Sequence, residues 1–155
     1  VTKRRATVKV GDQVAAEAQA WVGTPFVWGQ SVKPSAQGPG GCDCKGLVAG
    51  VARELGRPEA ASTYALFAHY RADRRAPADL LLEGMAVLFD RVGDVQPGDV
   101  LLLKHEGQPR HMAIAVGGGR AVHALPGFNS SVRERPLDVI THRYPLHSIW
   151  RWKEA

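Results

Sequence analysis

Two cysteines, Cys42 and Cys44, flank Asp43, and six histidines are spread along the chain. A thiol attacks a carbonyl only as thiolate, and its pKa falls from about 8.5 when it sits at a helix start beside an imidazole. Cys44 meets the first condition. Leu47, Val48, Val51 and Leu55 form an apolar stripe at helical spacing, closed by Gly56 and Pro58, which predicts a helix from about Asp43 to Leu55 with Cys44 in its first turn. There the helix dipole favours the thiolate, and unpaired backbone N–H groups can donate to an oxyanion. The base must be near in space, not in sequence. His111 opens a β-rich run, and His123 lies 12 residues further on, across a turn at Gly117 to Gly119. Across a hairpin the second imidazole can hydrogen-bond the first and hold its tautomer. Cys44 is therefore read as nucleophile, His111 as its proton acceptor and His123 as the orienting third member.

The remaining thiol and imidazoles have plainer readings. A disulfide across one intervening residue closes a small, strained ring, so Cys42 and Cys44 are read as thiols. Cys42 is taken as a bystander at the helix entrance, with a reversible redox cap on Cys44 as the alternative. His105, His142 and His147 are read as surface or structural. A zinc site made of Cys42, Cys44, His111 and His123 is disfavoured because one residue between cysteines suits structural zinc motifs poorly. No metal and no cofactor are expected.

These groups need a scaffold. Val14, Ala18, Trp21 and Val22 predict a helix from Val14 to Val22, stopped by Gly23, Thr24 and Pro25. Gln30 to Gly41 turns to Ser, Pro, Gln and Gly and reads as an exposed loop, where function often sits. Further helices are predicted over Ser62 to Asp73 and Pro77 to Phe89, with Tyr64, Leu66, Phe67 and Tyr70 as packing residues. The period then changes. Val100 to Leu103, Met112 to Val116, Ala121 to Leu125, Val132 to Arg135 and Ser148 to Trp152 read as strands. Helices first and strands afterwards predict an α+β fold, a small antiparallel sheet with helices packed on it.

At 155 residues the chain suits one domain over 1–155. Its composition, 45% hydrophobic and 23% charged, is that of a globular domain, and no apolar run approaches the roughly 20 residues of a membrane span. No secretory signal is evident after the basic Val1 to Arg5, so export is expected to use another route. The net charge of +5 favours acidic partners. Cations are scattered, and the one dense group, Arg71, Arg74 and Arg75, reads as a solvated face, so no specific nucleic-acid partner is expected.

Four stretches in order resemble a known family. GTPFVWGQ from Gly23, DCKGLV from Asp43, PGDVLLL from Pro97 and HMAIAVGGGRAVHA from His111 look like the signature of the NlpC family of papain-like cell-wall cysteine peptidases, also called p-sixty proteins. The resemblance spans roughly residues 14 to 125. It implies a papain-like α+β fold, Cys44 as nucleophile, His111 as base and His123 as third member. It also implies Asp43, Lys45, Phe26 and Trp28 at the substrate, and hydrolysis through a thioester of amide bonds in peptidoglycan stem peptides, typically after γ-D-glutamate. The site of action would be the cell wall, in the periplasm or at a virion or particle tail.

The departures from the family pattern bear on activity. Phe26 stands where tyrosine is common and removes a hydroxyl by the site; Lys45 replaces the usual serine; the segment between Phe26 and Cys44 is about six residues longer than usual. The long loop and the second cysteine also resemble stand-alone peptidases of phage tails and gene-transfer particles, whose proteins become expected partners. Two rivals follow. A related CHAP-type amidase would cut between muramic acid and L-alanine with the same Cys and His logic. A degenerate tail or wall component would hold peptidoglycan without cutting it, a reading that Phe26 and Lys45 favour and the retained cysteine and histidines oppose.

Overall fold

The computed structural model describes residues 8–57 and 78–153. The helix expected over Ser62 to Asp73, its packing residues and the arginine group at 71, 74 and 75 lie outside the described residues.

Helix α1 runs over Val10–Ala20. It begins one turn before the predicted start at Val14, because the Gln13 N–H bonds the Lys9 carbonyl and the partly buried Val10 packs against the core. It ends at Trp21, fully buried, where Thr24 Oγ1 donates to the Trp21 carbonyl (2.6 Å) and Gly23 takes the left-handed φ of 95° that reverses the chain. Helix α2, Cys44–Glu54, begins and ends where its stripe predicts and is buried continuously from Cys44 to Ala52, as befits a helix enclosed in a core. Gly50 lets it approach α1, since a Cβ there would fall 2.3 Å from the Trp21 ring.

Between them, the segment expected to be an irregular loop contains a short hairpin. β1 (Ser31–Val32) pairs antiparallel with β2 (Gly41–Cys42). Strands of two residues carry no legible alternation, which is why the composition alone suggested loop. Helix α3, Ala78–Leu88, ends one residue before expected: Phe89 begins β3 (Phe89–Val92), a strand that the sequence reading did not contain. The apolar stripe runs into this strand without a break, and pairing of Phe89 with Trp152 decides its conformation.

The other strands are β4 (Val100–His105), β5 (Gln108–Gly117), β6 (Arg120–Ala124), β7 (Val132–Pro136) and β8 (Leu146–Trp152). All five expected strands are present; β4, β5, β7 and β8 run further than expected, and β6 is shifted one residue toward the N-terminus from the expected Ala121 to Leu125. They form one antiparallel sheet in the order β3-β8-β4-β5-β6-β7. A further helix absent from the sequence reading, α4 (Leu137–Arg143), follows β7. At seven residues it is too short to show a helical period.

The sheet is covered on both faces. Val100, Leu102, Met112, Ile114, Val122 and Ala124 pack with α1 and α2, whereas Leu101, Leu103, Ala113, Ala115 and Ala121 pack with Ile140 and Tyr144 at the α4 end. Two-sided burial explains why β4 and β5 read as unbroken apolar runs. The α+β architecture expected from the sequence is the one observed.

Candidate active site

The site is built around the start of α2. Asp43 is its N-cap, with extended backbone, and one carboxylate oxygen accepts from the Gly46 N–H at 2.6 Å. The other accepts from the Gly29 N–H at 2.9 Å, so this carboxylate, 1% exposed, ties the helix start to the segment carrying Phe26 and Trp28. Gly46 is required by the same closure, because a Cβ there would lie 2.0 Å from the Gln30 carbonyl oxygen. Cys44 is the first helical residue, and among the described residues no acceptor pairs with its N–H.

The thiol reaches the sheet at an irregularity. β4 pairs Leu103 with His111 and Lys104 with Pro109, so Arg110 is an extra residue, a β-bulge. Its carbonyl accepts from Cys44 Sγ at 3.8 Å. Burial pushes the Cys44 thiol up; the Lys45 ammonium and the backbone N–H groups of Met112 and Lys45 work in the opposite direction, while Asp43 adds to the rise.

His111 and His123 stand on one face of the sheet. The β5–β6 ladder pairs Ile114 with Val122 and Ala115 with Ala121, a register that sets His123 diagonal to His111. His111 Nε2 lies 2.9 Å from His123 Nδ1. Burial is the main cause that holds His111 well below the ordinary imidazole value, with His123, Lys45 and His105 adding to it. Burial, then the Arg135 charge, pushes His123 down to about 4. Both rings are therefore neutral at pH 7, and one nitrogen of the pair donates to the other. If His111 carries its proton on Nε2, its Nδ1 lone pair is available as a base, and the proton of His123 sits on Nε2, a buried atom with no partner among the described residues.

Cys44, His111, Phe26, Trp28, Lys45 and Tyr144 line one cleft of about 370 Å³. Phe26 and Trp28 meet edge to face at 4.9 Å, and Trp28 is 57% exposed at the mouth. Lys45 is buried in the wall. Of the expected substrate residues, Asp43 differs from the other three: it lies behind the cleft as a cap, with both oxygens hydrogen-bonded. A wider hollow of about 890 Å³ between the α1 start and β8 contains neither a cysteine nor a histidine.

Cys42 is fully buried in β2, where burial, then Asp43 and Cys44, push its thiol up to about 12; this is the environment of an inert thiol and agrees with the bystander reading. Among the described residues no three or more His, Cys, Asp or Glu side chains are grouped so as to hold a metal ion. His147 bonds Ser148 Oγ, His142 is exposed on α4, and His105, exposed as expected, lies at the rim of the cleft. Two features were missed. Pro109 inside a strand was an available signal for the Arg110 bulge; nothing in the sequence marks Tyr144, whose ring lies 4.4 Å from that of His111.

A thiol at a helix start, an imidazole pair on two adjacent strands and an unpaired first-turn N–H suffice for acyl transfer through a thioester. An α+β domain that brings them together this way is of the papain-like cysteine peptidase class. Comparison with known proteins narrows the class. Residues 23–151 match the NlpC/P60 family, and the chain belongs to that family. It is 30% identical over 123 residues to Protein P54 of Enterococcus faecium, covering 79% of this chain and 20% of that protein, so the chain spans about a fifth of this curated relative. NlpC2 of Trichomonas vaginalis has a similar fold, with a TM-score of 0.64 at 20% identity over 96% of this chain and 49% of that one. The NlpC/p60 domain of the peptidoglycan hydrolase SagA gives a TM-score of 0.57 at 26% identity, covering 90% of this chain and 97% of that domain. Among the described residues no helix is long and apolar enough to cross a membrane.

Proposed function

We propose that this chain is a cysteine peptidase that hydrolyses an amide bond in the peptide stem of bacterial peptidoglycan, acting at the cell wall. The observation that carries the reading is the 2.9 Å bond between His111 Nε2 and His123 Nδ1, which leaves Nδ1 of His111 as the ring nitrogen available in the cleft that holds Cys44. Nδ1 takes the thiol proton as Sγ attacks the amide carbon, and His111 Nε2–H donates to His123 Nδ1 throughout. The Cys44 N–H donates to the oxyanion. The imidazolium then protonates the leaving amine, giving a thioester. Water, deprotonated by His111, attacks that thioester, so the products are an amine, a carboxylate and the restored thiol.

The bond assigned is the one between γ-D-glutamate and the diamino residue. SagA, a relative in fold and sequence, is named as a peptidoglycan hydrolase. Lys45 and Arg110 place cations on the cleft of a chain with net charge +5, which suits an acidic stem. Phe26, Trp28 and Lys45 are assigned to substrate contact and Asp43 to holding the helix start. Mass spectrometry of muropeptides after digestion of purified sacculi tests this. New γ-D-glutamyl ends that vanish in Cys44→Ala are expected; release of L-alanine from muramic acid, or cleavage that persists in Cys44→Ala, refutes it.

A further inference from the structure

Tyr144 is 4% exposed and lies over His111, with ring centroids 4.4 Å apart and planes inclined by 34°. That is a tilted, stacked contact, unlike the edge-on geometry of His111 with His123, whose planes meet at 74°. The backbone of this residue is fixed from both sides. Its own N–H donates to the Ile140 carbonyl at 2.8 Å, and the next carbonyl, Pro145, accepts from the Lys104 N–H at 2.7 Å, so α4 and β4 both pin this one residue. Its hydroxyl accepts from Arg143 Nε at 3.3 Å.

A ring so placed acts on both states of the imidazole. For the neutral state it limits rotation about the side-chain bonds, which keeps Nε2 on His123 and Nδ1 available to the thiol. For the charged state it presents a π face to the cation, an attraction that the neutral ring does not have to the same degree. Only an interaction stronger in the transition state than in the ground state accelerates the step. The other titratable or charged groups around His111 are Cys44 and Lys45 on α2, His123 on β6, His105 on β4 and Glu106 and Arg110 in the same cleft, and the Arg143 guanidinium lies 5.5 Å from the Tyr144 ring centroid. Lys45, His105 and His123 oppose the imidazolium, as burial does. Tyr144 is the contacting ring that favours it.

We propose that Tyr144 is a positioning residue for His111, holding the imidazole plane and stabilising the imidazolium that forms when the thiol proton is transferred. This rests on the assignment of His111 as proton acceptor, so the test uses a readout that needs no substrate. Imidazole ring nitrogen shifts of His111 are followed by NMR from pH 3 to pH 8 in the wild type, Y144F, Y144L and a chain carrying pentafluorophenylalanine at position 144, which keeps the ring shape but reverses its face charge.

Y144F is expected to retain a single His111 tautomer and a titration midpoint close to wild type. The fluorinated chain is expected to titrate lower than Y144F by about half a pH unit. Y144L, with its fold verified by circular dichroism, is expected to show mixed tautomers and kcat on sacculi lowered about tenfold with KM unchanged. A fluorinated chain that titrates with Y144F overturns cation stabilisation, and a folded Y144L with wild-type ring shifts overturns positioning. Because the shifts are measured without peptidoglycan, they stand even if the proposed substrate is wrong.

Discussion

Asp43→Ala removes two interactions at once, and their sizes set an expected loss of stability. Without the carboxylate, the Gly46 N–H loses the cap it receives at 2.6 Å; loss of an N-cap typically costs about 1 kcal/mol. The Gly29 N–H loses a partner at 2.9 Å, but Gly29 is itself exposed and water can take the place of the carboxylate, so this loss is the net worth of one hydrogen bond, about 0.5–1.5 kcal/mol. The sum is about 1.5–2.5 kcal/mol, which for a domain of this size lowers Tm by roughly 3–10 °C. Asp43→Asn separates the parts: its amide oxygen can still cap Gly46, but its NH₂ then meets the Gly29 N–H donor to donor. It should fall between wild type and Asp43→Ala, at about 0.5–1.5 kcal/mol. Urea melts of the three chains at pH 7 measure the difference. If Asp43→Ala lies within about 0.5 kcal/mol of wild type, the carboxylate does not secure the helix start, and the account of how Cys44 is placed fails with it.

Three further outcomes follow from the ionisation of the site. His111 must be neutral to accept a proton and is held well below its ordinary value of 6.5, so kcat/KM should stay level as pH falls through 6.5; half-maximal activity at that pH would contradict the burial argument. The sign carries into stability. Because His123 is lowered from 6.5 to about 4, the unfolded chain binds its proton first, so stability should decline as pH falls from 6.5 toward 4, which urea midpoints at several pH values would register. With the Cys42 thiol pushed up to about 12, limited iodoacetamide at pH 8 should label Cys44 and spare Cys42, and Cys42→Ala should keep activity within about twofold. Peptide mapping that finds Cys42 labelled as fast as Cys44 would restore the redox reading.

The legible parts of this molecule are those in which burial and chain period coincide. The α2 stripe, from Leu47 to Leu55, predicts the helix to within one residue at each end because one element supplies both its pattern and its cap. The unbroken runs of β4 and β5 are legible as strands for a related reason, since a strand buried on both faces needs no alternation. β3 and α4 were not legible: Phe89 continues a helical stripe in sequence but pairs with Trp152 in space, and α4 is shorter than two full turns. Tyr144 belongs with them, because only the closing of α4 over the sheet brings it to His111.

The site itself was legible as a set of residues but not as a geometry. Along β5, Met112 and Ile114 face the α2 side, while Ala113 and Ala115 face the α4 side, and His111 shares the latter face and its contact with Tyr144. By alternation alone, the helix that carries Cys44 and the His111 side chain belong on opposite faces of one sheet. They meet because the sheet opens at this point. β6 pairs with β5 at Ile114 and Ala115 but not at Met112 or His111, and Arg110 bulges out of the β4 register. The start of α2 fills the opening, with Sγ at the Arg110 carbonyl, so the thiol lies beside the strand that carries the imidazole. A β5–β6 ladder that continued through Met112 and His111 would occupy that opening, so it is the early end of this pairing that leaves room for the Cys44 thiol on the histidine's side of the sheet.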